Sequence, residues 1–198
     1  TAGSTLELSS TELGNIAGST LVLGASDQGA VTVSAAIAPA ISTVHVKSTG
    51  AVNAASGAIT ATSLAVSAGG AVTLSNASNA LGTVAITTDT AGNLSVTDSN
   101  GFTVGSVDGV AGVVANDGSV TLTPGGTLVA TQAVTAAGSG NALTVSGDNA
   151  ITLSGVTLTT AAGNIALGSG AITLDTGTVT LTTGSGSAGN ISQSGNVN

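Results

Sequence analysis

Apolar residues alternate with small polar residues along most of the chain, which predicts many short β-strands. The alternation is clearest in Thr43-Val44-His45-Val46, Thr83-Val84-Ala85-Ile86 and Thr178-Val179-Thr180-Leu181. A period of two is typical of a strand that turns one face to a core and the other to solvent. No window keeps a helical period of about 3.6 over three turns, so we expect almost no helix.

The strand segments also recur as nearly identical words, which indicates a repeat protein. The word Gly29-Ala30-Val31-Thr32-Val33 returns as Gly70-Ala71-Val72-Thr73-Leu74 and as Gly170-Ala171-Ile172-Thr173-Leu174, and Ala91-Gly92-Asn93-Leu94 returns as Ala162-Gly163-Asn164-Ile165. Self-similarity at a period of ~20 residues is the signature of a solenoid, in which each coil packs on its neighbours. The sequence therefore predicts an all-β fold, a right-handed parallel β-helix (β-solenoid) of about ten coils of ~20 residues.

The whole chain, residues 1–198, is expected to form this single solenoid segment, with one irregular stretch. The interval 98–118 holds several valines between glycine-containing turns and breaks the repeat. We interpret it as an extra partial coil or a bulging loop. Phe102 is the single aromatic residue of the chain, and we expect it to fill the core at this irregularity, since isolated aromatic side chains are usually packed.

Composition favours a thin, long core over a globular one. Hydrophobic residues make up 41% of the chain, but it contains 30 Gly, no Cys, Met, Trp or Tyr, and only 5% charged residues. Ordinary globular domains are about 25% charged and rely on large aromatic side chains. The hydrophobic content excludes a solvated disordered tail, and the absence of Cys excludes disulfides and thiolate metal sites.

The net charge of −8 excludes several classes of partner. Lys47 is the only Lys or Arg, so no basic patch can neutralise phosphates or bind an anionic membrane surface. No apolar run approaches the roughly 18 residues of a membrane span. We expect no nucleic-acid partner and no membrane insertion. Because no leader pattern follows Thr1, any export signal is expected to have been removed or to lie outside this segment.

We interpret the acidic residues as turn formers rather than catalytic groups. Most aspartates lie beside Gly, Asn, Ser or Thr, where carboxylates commonly bond to the nearby backbone: Asp27, Asp89, Asp98, Asp108, Asp117, Asp148 and Asp175. Enzymes that act on acidic sugars also need Arg or Lys to hold the substrate, and the chain has a single Lys. We expect no catalytic residue and no enzymatic activity.

The strand Val44-His45-Val46-Lys47 carries the only histidine, and we expect its valines to point inward and His45 and Lys47 to point to solvent. A lone histidine with no serine or acid organised around it is not a catalytic triad, and a metal site needs at least two further ligands. The segment Asp98-Ser99-Asn100-Gly101 matches only the opening of a calcium loop and lacks its closing acidic residue. No metal and no cofactor are therefore expected.

Pairs of threonines raise one further possibility, a flat ice-binding face. They occur at Thr121-Leu122-Thr123, Thr157-Leu158-Thr159 and Thr178-Val179-Thr180. Such a face requires the pairs to stack in register on consecutive coils. The pairs recur irregularly, and Thr is a common outward polar residue in β-rich sequence, so ice binding is the least favoured alternative.

Several words are similar to the repeats of large bacterial exoproteins of the filamentous haemagglutinin type. They are Gly92-Asn93-Leu94-Ser95-Val96, the stretch from Gly101-Phe102-Thr103-Val104 to Ser119-Val120-Thr121-Leu122, and Ala188-Gly189-Asn190-Ile191-Ser192-Gln193-Ser194-Gly195. The resemblance implies a right-handed β-helix, export by a two-partner or related route, and service as an adhesin shaft or surface fibre. The amino-terminal secretion motif of that family is not visible in this chain.

Two structural functions follow as hypotheses. The first is the non-catalytic shaft of a secreted or surface-anchored bacterial adhesin, which displays a distant adhesive tip. The alternative is a subunit that polymerises end to end into an extracellular filament, such as a structural polymer of a biofilm matrix. In both, the expected partners are β-solenoid coils of the same or another chain, with an unidentified host or cell-surface receptor, and the expected location is extracellular, at the cell surface.

Overall fold

A computed structural model describes residues 9–27, 29–184 and 189–197, which form a parallel β-solenoid with one short helix. In chain order the elements are α1 (Ser10–Gly14), β1 (Thr20–Gly24), β2 (Val31–Thr32), β3 (Thr43–Ser48), β4 (Val52–Asn53), β5 (Thr60–Ala68), β6 (Val72–Leu74), β7 (Ala80–Ala91), β8 (Leu94–Asp98), β9 (Thr103–Val104), β10 (Ser106–Val107), β11 (Val110–Ala111), β12 (Val113–Asp117), β13 (Val120–Pro124), β14 (Leu128–Ala130), β15 (Val134–Ala136), β16 (Leu143–Val145), β17 (Ile151–Leu153), β18 (Thr157–Thr160), β19 (Ile165–Leu167), β20 (Ile172–Leu174), β21 (Thr180–Thr182) and β22 (Ile191–Gln193). The all-β class and the solenoid architecture predicted from the repeats are confirmed.

Two parallel sheets run along the solenoid. In the described residues the large sheet has twelve strands, and the second sheet has eight, in the order β2-β4-β6-β8-β13-β16-β19-β22. One strand of the second sheet per coil gives about eight coils, so the prediction of about ten was too high. The reason is that coils are not uniform: the step between register partners Leu94 and Val120 is longer than that between Val52 and Val72. The seven steps of ~4.8 Å between eight stacked strands give a rod about 34 Å long.

One hydrophobic core runs through the coils, built from vertical rows of aliphatic side chains. Val44, Leu64, Val84 and Val104 are register partners on β3, β5, β7 and β9, and all four are fully buried. Like-on-like stacking lets each coil bury the apolar face of the next, which a single coil cannot do alone. Phe102 lies in the same core and is almost fully buried, as predicted.

The repeated Ala-Gly-Asn word has a physical role at one corner of the coil. The side-chain carbonyl of Asn93 accepts a hydrogen bond from the Ser119 backbone N–H at 3.0 Å, and that of Asn164 accepts one from the Asn190 N–H at 2.8 Å. Glycine precedes the asparagine because a Cβ at Gly163 would collide with the backbone of the preceding coil. The word therefore ties each such corner to the next coil.

The interval 98–118 contains a two-stranded antiparallel hairpin, β10–β11, inserted into the large sheet. Strand β7 pairs along one edge with β5, and along its other edge with both β9 and β12. Val104 lies opposite Val84, and Val113 lies opposite Ile86, so the hairpin replaces the single residue that would lie opposite Ala85. In the coils that follow, the large sheet has two short strands per coil instead of one long strand.

The helix α1 is closed by a capping box at its amino end. The Ser9 hydroxyl accepts from the Glu12 N–H at 3.2 Å, and the Glu12 carboxylate accepts from the Ser9 backbone N–H at 2.9 Å and from its hydroxyl at 2.7 Å. These bonds, the backbone one first, lower the pKa of Glu12. Leu13 of this helix is buried in the main core. Within the described residues, no helix has the length and hydropathy that a membrane span requires.

Candidate functional site

The hairpin β10–β11 turns on Asp108 and Gly109. Both have a positive φ, 46° and 83°, and Val107 pairs with Val110 across the turn. Two central residues with positive φ are the requirement of a two-residue type I′ turn, for which Asp-Gly is a favoured pair. The Gly112 N–H closes the base of the hairpin on the Gly105 carbonyl at 2.8 Å. The side chain of Asp108 is thereby held at the hairpin tip.

The hairpin packs on the outer face of the large sheet. Its valines, Val107 and Val110, form a small second hydrophobic cluster with Ala65 and Ala85, which belong to the outward row of β5 and β7. Both alanines are fully buried although they point away from the main core. The hairpin is therefore the cover of this part of the outer face.

His45 belongs to the same outward row and is also covered. It is the register partner of Ala65, and its relative exposure is only 3%. The prediction that His45 points into solvent is wrong. Strand alternation correctly placed Val44 and Val46 in the core and His45 on the opposite face, but the hairpin folds over that face. Val22, the next residue of the row, is beyond this cover and is half-exposed.

Both ring nitrogens of His45 have partners. Nδ1 lies 2.6 Å from Oδ2 of Asp108, and Nε2 lies 3.0 Å from Oγ of Ser67. An ionised carboxylate can only accept, so Nδ1 carries the proton that is donated to Asp108. A neutral imidazole with its proton on Nδ1 accepts at Nε2 from the Ser67 hydroxyl. Serine, histidine and aspartate thus form one hydrogen-bond chain, in the order used by serine hydrolases.

The solenoid register positions the serine. Ser67 lies on β5, two residues after Ala65, and is therefore a diagonal neighbour of His45 on the outer face. Its direct register partner on β3 is Lys47. Ser67 and Lys47 are each partly exposed, in contrast to the buried imidazole between β3 and the hairpin. Solvent can therefore reach the hydroxyl, while the imidazole beside it is covered.

A shallow groove lies beside Ser67 on this face. Its volume is about 280 Å³, and Lys47, Ser67 and Asp89 are among the residues that line it. The rest of its lining is serine, threonine and glycine, without an aromatic or aliphatic side chain other than the lysine stem. Among the described carboxylates, none lies within ion-pair distance of the Lys47 ammonium. The groove therefore carries one positive side chain, Lys47, and one negative side chain, Asp89, among hydroxyl and glycine residues.

Asp98 acts differently from Asp108. Its buried carboxylate accepts three backbone N–H groups, Oδ1 from Leu81 at 2.7 Å and Oδ2 from Asn100 and Gly101 at 2.9 and 2.8 Å. The interpretation of Asp98 as a turn former agrees with these bonds. For Asp108 that interpretation is incomplete, because its backbone makes a turn while its carboxylate binds His45. No group of three potential metal-binding side chains occurs in the part of the chain that the structure describes.

The threonine pairs stack over a short distance. Thr157 and Thr159 lie in register with Thr180 and Thr182 on the next coil, and Thr135 precedes Thr159. Elsewhere the register is mixed: Val114 is the partner of Thr135. Two complete pairs on consecutive described coils make a small polar patch rather than a face that runs along the rod.

Sequence reasoning missed the association of Ser67, His45 and Asp108. The Asp108-Gly109 pair between two valines is a strong local hairpin signal, and it could have predicted the turn. Where the hairpin folds is not a local property, because His45 and Asp108 are 63 residues apart in the chain. The register of β3 on β5, which brings Ser67 to His45, also appears only in the folded coil.

Comparisons with known proteins add no relative: no protein-family model, no curated protein and no solved structure matches this chain. The resemblance to filamentous haemagglutinin-type repeats accordingly stays a hypothesis based on sequence words. The solenoid fold is established independently of it, by the parallel pairing of the coils.

Proposed function

We propose that this chain is a shaft segment of a secreted or surface-anchored bacterial adhesin or large exoprotein. The observation that supports this role is the uninterrupted parallel ladder of the second sheet, which links eight coils through one continuous core. In a solenoid of this kind each coil contacts only its neighbours, so the stack acts as a spacer between whatever lies at its two ends. The resemblance of the repeats to filamentous haemagglutinin-type exoproteins is consistent with a cell-surface, extracellular location.

The last described coil supports the expected partner, a further β-solenoid coil. Leu174 continues the core row of Leu153, but its exposure is 48% against 2% for Leu153. Ile191 likewise continues the row of the fully buried Ile165 and is 50% exposed. Val197 already forms a parallel bridge with Ile172 at the start of β20. A further coil stacked on the rest of β20 and on β22 would bury Leu174 and Ile191 and pair the remaining strand edge.

That coil can come from the same chain or from another, which separates the two candidate functions. Sedimentation equilibrium and small-angle scattering of the dilute isolated chain distinguish them. A shaft segment is expected to remain a monomer of 18.1 kDa at all concentrations. Filaments that lengthen with concentration would contradict the shaft and support the alternative, a subunit of an extracellular polymer. A closed oligomer of fixed size would contradict both.

A matched pair of variants tests the stacking surface. Ile191→Lys places a charge in the open core row, whereas Ser192→Lys places it on the outer side of the same strand, β22. If the chain polymerises, Ile191→Lys should abolish assembly and Ser192→Lys should leave it unchanged. Equal effects of the two variants would exclude this end of the solenoid as the contact.

The location is tested on the cells that make the protein. Antibodies against the chain are expected to label intact cells as strongly as permeabilised cells. Labelling that requires permeabilisation would contradict the surface role, independently of the shape of the isolated chain.

A further inference from the structure

The sequence-based expectation of no enzymatic activity rested on the turn-forming acids, on the single Lys and on an isolated, solvent-exposed His45. The structure shows that His45 is neither isolated nor exposed. We propose that Ser67 is the nucleophile of an esterase site on the side of the solenoid, with His45 as its general base and Asp108 as the residue that positions the imidazole. The substrate class is a carboxylic ester with a short, acetyl-sized acyl group on a polar alcohol. This activity is additional to the structural role and does not depend on it.

The geometry of the three side chains supports base catalysis. Ser67 Oγ lies 3.0 Å from Nε2, within the reach that proton transfer to a general base requires. Oδ2 of Asp108 lies 2.6 Å from Nδ1 and holds the proton on that nitrogen. The lone pair of Nε2 is then directed toward the serine. The hairpin excludes water from the imidazole, so the serine hydroxyl does not compete with solvent for it.

The base of the hydrogen-bond chain is covered, while the nucleophile at one end and the carboxylate at the other are open to solvent. The His45 side chain is 4% exposed and that of Asp108 is 39% exposed, while Ser67 borders the open groove. An ester carbonyl in the groove can therefore reach Oγ without displacing the base.

Lys47 is the group that can meet the negative charge of the tetrahedral intermediate. The backbone amides around Ser67 belong to the ladder, because β5 is paired with β3 on one side and β7 on the other. They do not form an oxyanion hole. Lys47 is the register partner of Ser67, lines the same groove, and is the only Lys or Arg in the chain. A positive group beside the developing oxyanion stabilises it.

The groove defines the substrate class. At about 280 Å³, with a lining of hydroxyl, glycine and charged residues, it has no aromatic or large aliphatic side chain to hold a long acyl chain. A short acyl group fits, and the serine and threonine hydroxyls of the lining suit an alcohol with several hydroxyl groups.

The reaction balances with water as the only co-reactant. Ser67 Oγ attacks the ester carbonyl as His45 Nε2 takes its proton, and the C–O bond to the alcohol breaks as that proton passes to the leaving oxygen. Water then attacks the acyl-serine, with His45 again accepting and returning a proton. The products are the free alcohol, the carboxylic acid and regenerated Ser67.

Covalent labelling of the full chain tests the nucleophile. A fluorophosphonate probe should form a Ser67 Oγ–P bond with loss of fluoride, and fragment mass spectrometry should locate the adduct. The matched control is Ser63, which lies on the same strand, faces outward and has no histidine partner. We expect labelling of Ser67 at least ~100-fold faster than of Ser63, the contribution of a general base. Equal labelling, or none at Ser67, overturns the proposal.

Turnover of p-nitrophenyl acetate gives the second measurement. The native chain and Ser63→Ala should show equal, saturable hydrolysis, and Ser67→Ala should reduce it to the level of solution without protein. Saturable hydrolysis that survives in Ser67→Ala would assign the activity to another group and contradict the proposal.

Asp108→Asn tests the positioning residue. It keeps the turn but replaces the carboxylate by an amide, whose NH₂ can donate to Nδ1 and which therefore no longer fixes the proton there. We expect kcat to fall by about 10²–10⁴ with little change in KM. Val107→Ala loosens the same hairpin without touching the carboxylate, and it should retain most of the activity. Equal losses in the two variants would mean that the hairpin acts only as a cover and would overturn the role of Asp108.

Discussion

The coils that precede the hairpin differ from those that follow it in the length of their strands. In the first region the large sheet uses continuous strands, of which β5 has nine residues and β7 twelve. In the second region each coil has two strands of three or four residues, such as β14 with β15 and β17 with β18. The core rows pass through both regions without a break.

The difference begins at one insertion and continues through register. β9 and β12 pair with a single continuous strand, β7, and then β14 stacks on β9 while β15 stacks on β12. Since each coil contacts only its neighbours, a strand that is divided in two in one coil gives the next coil two short strands to pair with. A solenoid can therefore accept an insertion on its outer face and keep its core, provided that the strands of the following coils are divided at the same corner.

The largest expected effect contrasts a core leucine of the first region with its counterpart in the last described coil. Leu64→Ala removes a fully buried side chain with strands on both sides, and it should lower the free energy of unfolding by about 2–5 kcal/mol. Leu174→Ala, at a half-exposed site, should lower it by less than about 1 kcal/mol. Denaturant unfolding followed by circular dichroism measures both. Equal losses would contradict the view that the last coil is open.

The next contrast concerns two corner asparagines. Asn79 is fully buried, accepts from the Ile59 N–H and donates to the carbonyls of Leu74 and Thr97. Asn79→Ala leaves these buried groups without partners and should lower stability by about 2–3 kcal/mol. The exposed Asn164 makes a single bond to the next coil, so Asn164→Ala should lower it by about 1 kcal/mol or less. The same denaturation experiment ranks them, and the reverse order would contradict this assignment.

The hairpin itself is tested at its turn. Gly109 has a φ of +83° with open space around it, so Gly109→Ala changes only backbone strain and should lower stability by about 1–2 kcal/mol. Gly29→Ala is the matched control, because Gly29 is also in open space but has no positive φ. Gly109→Ala should also raise the rate of hydrogen exchange in β10 and β11. A neutral Gly109→Ala would show that the turn is not under this constraint.

Much of this fold was predictable from sequence because it depends on local patterns. Alternation predicted that Val44 and Val46 point into the core, and the recurring words predicted the solenoid. The candidate site was not predictable in the same way. Alternation tells which face His45 occupies, but not that a hairpin 63 residues away covers it. The alternation of apolar and polar residues in a strand shows which residues face the core. What covers the opposite face depends on contacts between residues far apart in the chain.

The smallest expected effect lies at the start of the first region, in the capping box of α1. Hydrogen bonds from Ser9 lower the pKa of Glu12, so this cap contributes stability fully above the unfolded-state pKa and loses it as the pH falls through the folded-state pKa. Carbon-detected NMR titration should show Glu12 protonating at a lower pH than an unbonded glutamate. Ser9→Ala should return it to the ordinary value, and an unchanged titration in Ser9→Ala would contradict the cap as the cause.

The position of Lys47 allows trypsin cleavage to measure the local opening of the solenoid. Trypsin cleaves after Lys or Arg, and this chain offers it a single peptide bond, between Lys47 and Ser48. That bond lies in β3, which is hydrogen-bonded to β1 on one side and to β5 on the other. A protease must bind its target as a free extended segment, so cutting requires both neighbouring coils to separate. The appearance of just two fragments would therefore report, at one bond, how often this part of the rod opens.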